Sequence, residues 1–383
     1  MAIRVNPLLI DDLERYGAED VQKCYHCGNC SAVCPHTDET FVFPRRSMRL
    51  LQMGLERKIE GSLEPWLCYY CGQCSTQCPR DAEPGETMMS LRRWLTSRYD
   101  FTGISRLFYR SPKAEVLAMV ALGLVVGVGL VAWGLGNGGD IRVYDGERAF
   151  LKSHHVHVFD WGMAAVLVGL LGTNAARMWW FIMYRDKESR VPWWLYVKHV
   201  LLLPYHFFTQ KRYAECGERK PWLLHLALML SYVTMLVLIM FFLGHMQSDT
   251  WHWQAHLPGY LATLGLLGAT AWMMRGRLKK ITPLHRHSHE SDWVFLVQLF
   301  VVAFTGILQH VLHRTGQPLA GNVVYVVHMM AAVPMLVLEV PFSKWAHLVY
   351  RPLAMYFAAM RREVLRAKVP APLPAGARRV QAA

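Results

Sequence analysis

The pattern of apolar and polar positions divides the chain near residue 110. Up to Arg110, charged and apolar residues are mixed; from Ala114 onward long apolar runs dominate. Six of these runs approach the ~20 residues that a helix needs to cross a bilayer. They cover about 114–135, 158–183, 222–243, 257–274, 292–312 and 322–343, the first uninterrupted and the fourth the shortest. Buried helices of a soluble protein would rarely supply six such runs in succession, so they predict six spanning helices. Before them, Met48, Leu51, Leu55 and Ile59 recur at helical spacing, and Glu86 to Tyr99 reads as a second helical stretch. Little β alternation is present. The expected fold is all-α: a small helical domain over 1–110, a first spanning helix and outer loop over 111–157, a membrane domain over 158–350 and a basic tail over 351–383.

Charge orients these helices. The formal net charge of +13 could serve nucleic acid, anionic lipid or an acidic partner. Its distribution argues against nucleic acid, because the basic residues gather beside the apolar runs. The connection 184–221 carries Arg185, Lys187, Arg190, Lys198, Lys211, Arg212, Arg219 and Lys220. Arg275, Arg277, Lys279 and Lys280 follow the fourth run, and Lys344, Arg351, Arg361 and Arg362 follow the sixth. The alternate connections, 136–157, 244–256 and 313–321, are poorer in such residues. The positive-inside rule then places both termini and the N-terminal domain in the cytoplasm, with the chain in the inner membrane. Met1 to Asp20 is polar and acidic and does not read as a cleavable leader. The end, roughly Lys368 to Ala383, is rich in Pro, Ala and Arg and is expected to be disordered.

Eight of the nine cysteines fall in two copies of C-x2-C-x2-C-x3-C-P, at Cys24/Cys27/Cys30/Cys34 and Cys68/Cys71/Cys74/Cys78. Three thiolates in one tight loop converge on a cuboidal [4Fe–4S] cluster, and in this spacing the fourth ligates the other cluster. The expected ligand sets are Cys24, Cys27, Cys30 and Cys78 for one cluster, and Cys68, Cys71, Cys74 and Cys34 for the other. Pro35 and Pro79 turn the chain away after each motif. Paired C-x2-C also suits zinc, but zinc has no need of four cysteines and a proline, twice. Two clusters in one small domain relay electrons rather than transform a substrate. No Gly-rich dinucleotide fingerprint accompanies them. The ninth thiol, Cys216, stands in a basic connection and reads as an ordinary cysteine.

The chain also has 18 histidines, several within or at the ends of apolar runs. Ionisable groups in a membrane are costly and mark functional sites, and imidazoles pointing inward from facing helices suit b haem. His154, His155, His157, His252 and His256 fall in outer connections and read as interfacial. His285, His287 and His289 read as surface residues of a basic inner loop. His225, His328 and His347 do not fit such roles. Pro334 and Pro341 are expected to kink the sixth span, between His328 and His347.

The N-terminal part, with its two motifs and the intervening PRRSMRLLQMG, resembles the small iron–sulfur subunit of heterodisulfide reductases. The membrane part resembles the cytochrome b family that includes the nitrate reductase gamma subunit and the membrane cytochrome of heterodisulfide reductases. The likeness lies in SDWVFLVQLFVVAFTGIL (291–308) and in VHMMAAVPMLVLEVPFSKWAH (327–347). The fusion of both parts resembles the membrane-subunit family of quinone-interacting membrane-bound oxidoreductase complexes. That resemblance implies a six-helix cytochrome b bundle behind a two-cluster ferredoxin-like domain. It implies two b haems, with one haem as the alternative. His225 and His347 would hold the inner haem and His328 one side of the outer haem. The expected partner of His328 lies about three turns beyond His225, where Met235 stands; His245 is the first replacement, with His310, His157 and Met235 itself as alternatives. Asp160 is a candidate for proton transfer at the outer face. The resemblance further implies menaquinone as substrate, the two flavoprotein subunits of the same complex as partners and adenylylsulfate reductase as acceptor in sulfate reduction. A membrane subunit serving heterodisulfide chemistry and a non-catalytic anchor are the competing expectations.

Overall fold

The computed structural model describes residues 4–144, 146–185, 190–248 and 250–368. Lys187 and most of the expected disordered end, residues 369–383, lie outside them.

The N-terminal unit is built from short helices. Helix α1 (Leu9–Glu14) buries Leu9 and Leu13, and α2 (Arg45–Gln52) buries Met48 and Leu51. The apolar rhythm that continues through Leu55 and Ile59 does not form one helix. Gly54 breaks it with φ +62°, where a side chain would collide with the Asn6 carbonyl, and Ile59 starts afresh on α3 (Glu56–Glu60). Helix α4 (Pro84–Tyr99) runs through the centre of the unit and buries Met88, Leu91, Trp94, Leu95 and Tyr99. A short α5 (Ile104–Arg110) leads to Ser111, whose hydroxyl accepts the Ala114 amide and caps the first spanning helix.

Among the described residues, six helices are long and apolar enough to cross a membrane. They are α6 (Pro112–Gly136), α7 (Ser153–Trp179, widening to a π turn through Tyr184), α10 (Arg219–Met246), α11 (Trp253–Lys279), α12 (Glu290–Arg314) and α13 (Pro318–Pro334, continuing irregularly to Phe342). Between α7 and α10 lie two short helices, α8 (Trp193–His199) and α9 (Leu202–Thr209). All six expected spans are present and run a few residues beyond their apolar cores. No strand occurs among the described residues, only an isolated bridge between Asp140 and Ala149. Most spans pack as sequential neighbours: α10 on α11, α11 on α12, α12 on α13, and α6 against α13.

The sixth span departs from a plain helix in a way that places the site. In place of a simple kink at Pro334 or Pro341, the helix widens to a π turn at Met335–Glu339, resumes over Val340–Phe342 and breaks at Ser343 in extended conformation. A single 3-10 turn, Lys344–Ala346, follows before His347 opens α14 (His347–Lys368). Residues 351–368, expected as part of a basic tail, are therefore helical. Tyr350, Ala354, Phe357 and Met360 of α14 share one buried core with Trp66, Leu91 and Tyr99 of the N-terminal unit and with Met178 and Ile182 at the end of α7. The N-terminal unit is thus seated on one end of the bundle, beside the basic connections.

Candidate functional site

Each cysteine motif wraps a cavity. Gly28 and Gly72 take left-handed backbone and turn the chain into the short helices Asn29–Ala32 and Gln73–Thr76, each carrying the third cysteine of its motif. Cys24, Cys27, Cys30 and Cys78 border one cavity. Cys34, Cys68, Cys71 and Cys74 border the other. The fourth cysteine of each motif thus lies with the first three of the other. Among the described residues no three ligating side chains converge on a single-ion site; the thiols border two small cavities instead. Backbone amides of Tyr70 and Ala82 approach the Cys68 and Cys78 sulfurs at 3.3 and 3.4 Å. Burial pushes the Cys30 thiol up to about 11 and raises Cys34, Cys68 and Cys74 as well. Such thiols stay protonated near neutrality until a cation displaces the proton. The first cavity reaches the surface, since Cys27 and Tyr25 are exposed; Cys68 and Cys74 of the second are buried.

Cys216 is not the ordinary lone thiol that its basic connection suggests. It is buried, borders the second cavity, and its sulfur lies 3.0 Å from His36 Nε2. Nothing in the spacing of the motifs foretells a fifth thiol arriving from the membrane domain.

The inner histidine pair is brought together as expected. The rings of His225, on α10, and His347, at the start of α14, have centroids 6.3 Å apart. A metal–imidazole bond is about 2 Å long and the ring centre lies about 1 Å further, so two imidazoles across one metal have centres roughly 6 Å apart. His225 Nδ1 lies 2.6 Å from Gln210 Oε1, and His347 Nδ1 meets the Lys344 carbonyl oxygen. Both acceptors draw the ring proton to Nδ1 and leave Nε2 free to ligate. Burial keeps His347 neutral, with its pKa lowered to about 3. The cavities on either side share His225, Met229, Tyr213, His347, Leu348 and Arg351 as walls, and the larger offers about 190 Å³. This donor set and this slot fit a flat macrocycle held by two imidazoles.

At its far end the larger cavity is polar. Asp292, buried at the start of α12, faces Lys344, Arg277 at 3.6 Å and Arg93 at 3.8 Å; Glu86 pairs with Arg93 at 3.0 Å. Burial lowers the Lys344 pKa to about 8 despite this partner.

The other candidates are dispersed. His328 Nδ1 faces α12, 3.1 Å from both the Val302 carbonyl and Thr305 Oγ1, so His328 too keeps Nε2 free. Met235 packs in the apolar core with Leu228 and Leu266. His245 sits edge-on to His252 at 4.8 Å, and His310 lies 5.1 Å from His256. His157 accepts the Trp161 indole N–H at 3.0 Å, and Asp160 is buried one turn away. None of these four candidate partners is among the contacts found for His328. His256, expected at the interface, and His285, expected at the surface, are both buried, His285 against Trp272.

Residues 20–82 match the family model of the 4Fe-4S dicluster domain. The match covers both cysteine motifs and the helices between them, and supports [4Fe–4S] clusters in this unit. No curated protein and no solved structure matches the chain. A dicluster domain seated on six membrane-spanning helices fits a membrane electron-transfer subunit.

Proposed function

We propose that the chain links the menaquinone pool, through b haem and two [4Fe–4S] clusters, to soluble flavoprotein subunits, with adenylylsulfate reductase as the acceptor in dissimilatory sulfate reduction. The observation that carries the reading is the continuity of the candidate sites. Tyr69 borders the second thiol cavity and both cavities at His225 and His347. It stacks on Tyr213 at 5.3 Å, and Tyr213 lies edge-on to His225 at 5.9 Å. The Arg351 guanidinium covers the Tyr69 ring at 3.8 Å and donates to the Cys68 carbonyl at 3.2 Å.

Bound clusters and haem supply one-electron carriers. The chain's own residues hold and separate them. Cys24, Cys27, Cys30 and Cys78 would ligate the outward cluster, and Cys34, Cys68, Cys71 and Cys74 the inward one. His225 and His347 would hold the inner haem, oriented by Gln210 and the Lys344 carbonyl. His328 offers one ligand for an outer haem. The basic connections on the side of the dicluster domain favour a cytoplasmic setting for it. The named partners and acceptor, and menaquinone itself, rest on the family resemblance alone.

Reduced-minus-oxidised spectra of the purified chain with a menaquinol analogue test the reading. A b-type haem spectrum that appears on adding quinol supports it. Haem that dithionite reduces but quinol does not sinks the quinone link. A chain without haem leaves the anchor reading standing.

A further inference from the structure

We propose that Cys216 is a non-ligating thiol that donates its S–H to the Cys71 sulfur, raising the reduction potential of the inward cluster and tying it to the membrane domain. The inference rests on the reading that Cys34, Cys68, Cys71 and Cys74 hold a cluster. Cys216 and Cys71 border the same cavity, with Cys34, Cys68 and Cys74, and their side chains interact there. On its other side Cys216 meets His36 Nε2 at 3.0 Å.

Proton accounting fixes the direction of these bonds. Bound to iron, a thiolate carries no proton and only accepts. The proton able to lie between the two sulfurs is therefore that of Cys216. With its S–H committed to Cys71, the Cys216 sulfur accepts, and His36 Nε2–H donates to it. A hydrogen bond to a ligand sulfur stabilises the reduced cluster, which carries more negative charge, more than the oxidised one. Its loss should lower the potential.

The thiol also has a structural origin that suits this task. Cys216 ends the 3-10 turn Lys211–Glu215. That same connector holds Gln210, which orients His225, and Tyr213, which touches both Tyr69 and His225. One short stretch of the membrane domain thus contacts both redox centres, and displacing it would alter both together.

The test uses the full-length protein in detergent. Cys216→Ala and Cys216→Ser are compared with wild type in redox titrations followed by electron paramagnetic resonance, with iron and sulfide assayed beside them. In Cys216→Ala the iron and sulfide content is expected to hold. One of the two cluster signals should move to lower potential by an amount near a tenfold change in its one-electron equilibrium, about 59 mV. Cys216→Ser, which keeps a donor, should recover part of the shift, and the other cluster should not move. Unshifted potentials in both variants overturn the proposal. So does loss of a cluster in Cys216→Ala accompanied by its retention in Cys71→Ala, which would make Cys216 the ligand. Wild-type protein without cluster signals would instead refute the underlying ligand reading.

Discussion

Gln210 shows how much of a cofactor site rests on residues that bind nothing themselves. Its side-chain oxygen lies 2.6 Å from His225 Nδ1 and fixes which ring nitrogen faces the cavity. Partners of this kind, when removed, typically weaken metal retention by about 10–100-fold. If His225 and His347 hold a haem as proposed, Gln210→Ala should therefore lower its retention by about tenfold, measured as haem per protein after dilution in detergent. His225→Ala and His347→Ala should each abolish that haem while the cluster signals persist. Full haem content in both histidine variants would refute the assignment. The eight motif cysteines were legible as candidates in their tight spacing, whereas the pairing of His225 with His347 came from the family resemblance rather than from any local pattern. Gln210 and Cys216 were not legible, since their partners lie 15 and 145 or more residues away along the chain and only the fold joins them. The partner of His328 was equally illegible. A histidine every few turns near the outer face offers several candidates, and the structure gathers His245, His252, His256 and His310 with one another rather than with His328.

At the scale of elements, the irregular end of α13 is the feature that most affects the site. The prolines announced a departure from regular helix but not its form. A π turn and a break at Ser343 supply the offset that lets His347 face His225, where a continuous helix would have fixed its direction by rotation alone. The π turn also presents Glu339, fully buried, to Glu115 on α6. The two carboxyl groups lie buried together: Ser343 Oγ donates to Glu115 Oε1 at 2.6 Å, and Glu115 Oε2 and both Glu339 oxygens have no hydrogen-bond partner among the described residues. Two carboxyls buried together cannot both ionise, so at least one keeps its proton. A neutral amide should therefore replace one of them at little cost. Glu339→Gln is expected to unfold near the wild-type temperature, whereas Glu339→Ala leaves a void at a fully buried position beside Glu115 and should lose about 1–3 kcal/mol. Thermal unfolding in detergent distinguishes them. Equal stability of the two variants would show that the contact does not hold α6 to the sixth span.

At the scale of the whole molecule, the sequence divided into a dicluster unit and a membrane unit, and both are present. What it hid is that they are not separate bodies joined by a linker. Nothing in local periodicity marks α14 as a shared element, because its apolar face meets a surface assembled from residues far apart in the chain: Trp66, Tyr99 and Met178 among them. The junction has a second anchor in Asp292, a carboxylate that faces Lys344, Arg277 and Arg93, cations from three parts of the chain. Arg93 belongs to the dicluster unit and Arg277 and Lys344 to the membrane unit, so this carboxylate sits electrically between them. Its removal leaves the cations facing one another, offset by Glu86 on the Arg93 side. Breaking a buried charge network from one side costs about 3–5 kcal/mol. Asp292→Ala should therefore loosen the seat of the dicluster unit without unfolding its own core, which lies on α1 to α4. The expected readout is faster proteolysis between Asp100 and Ser111, the stretch leading into α6, with cluster content unchanged. Asp292→Glu should restore protection in part, since it keeps the charge. Wild-type proteolysis in Asp292→Ala would mean that the shared apolar core around Trp66 and Tyr350 holds the two units together by itself.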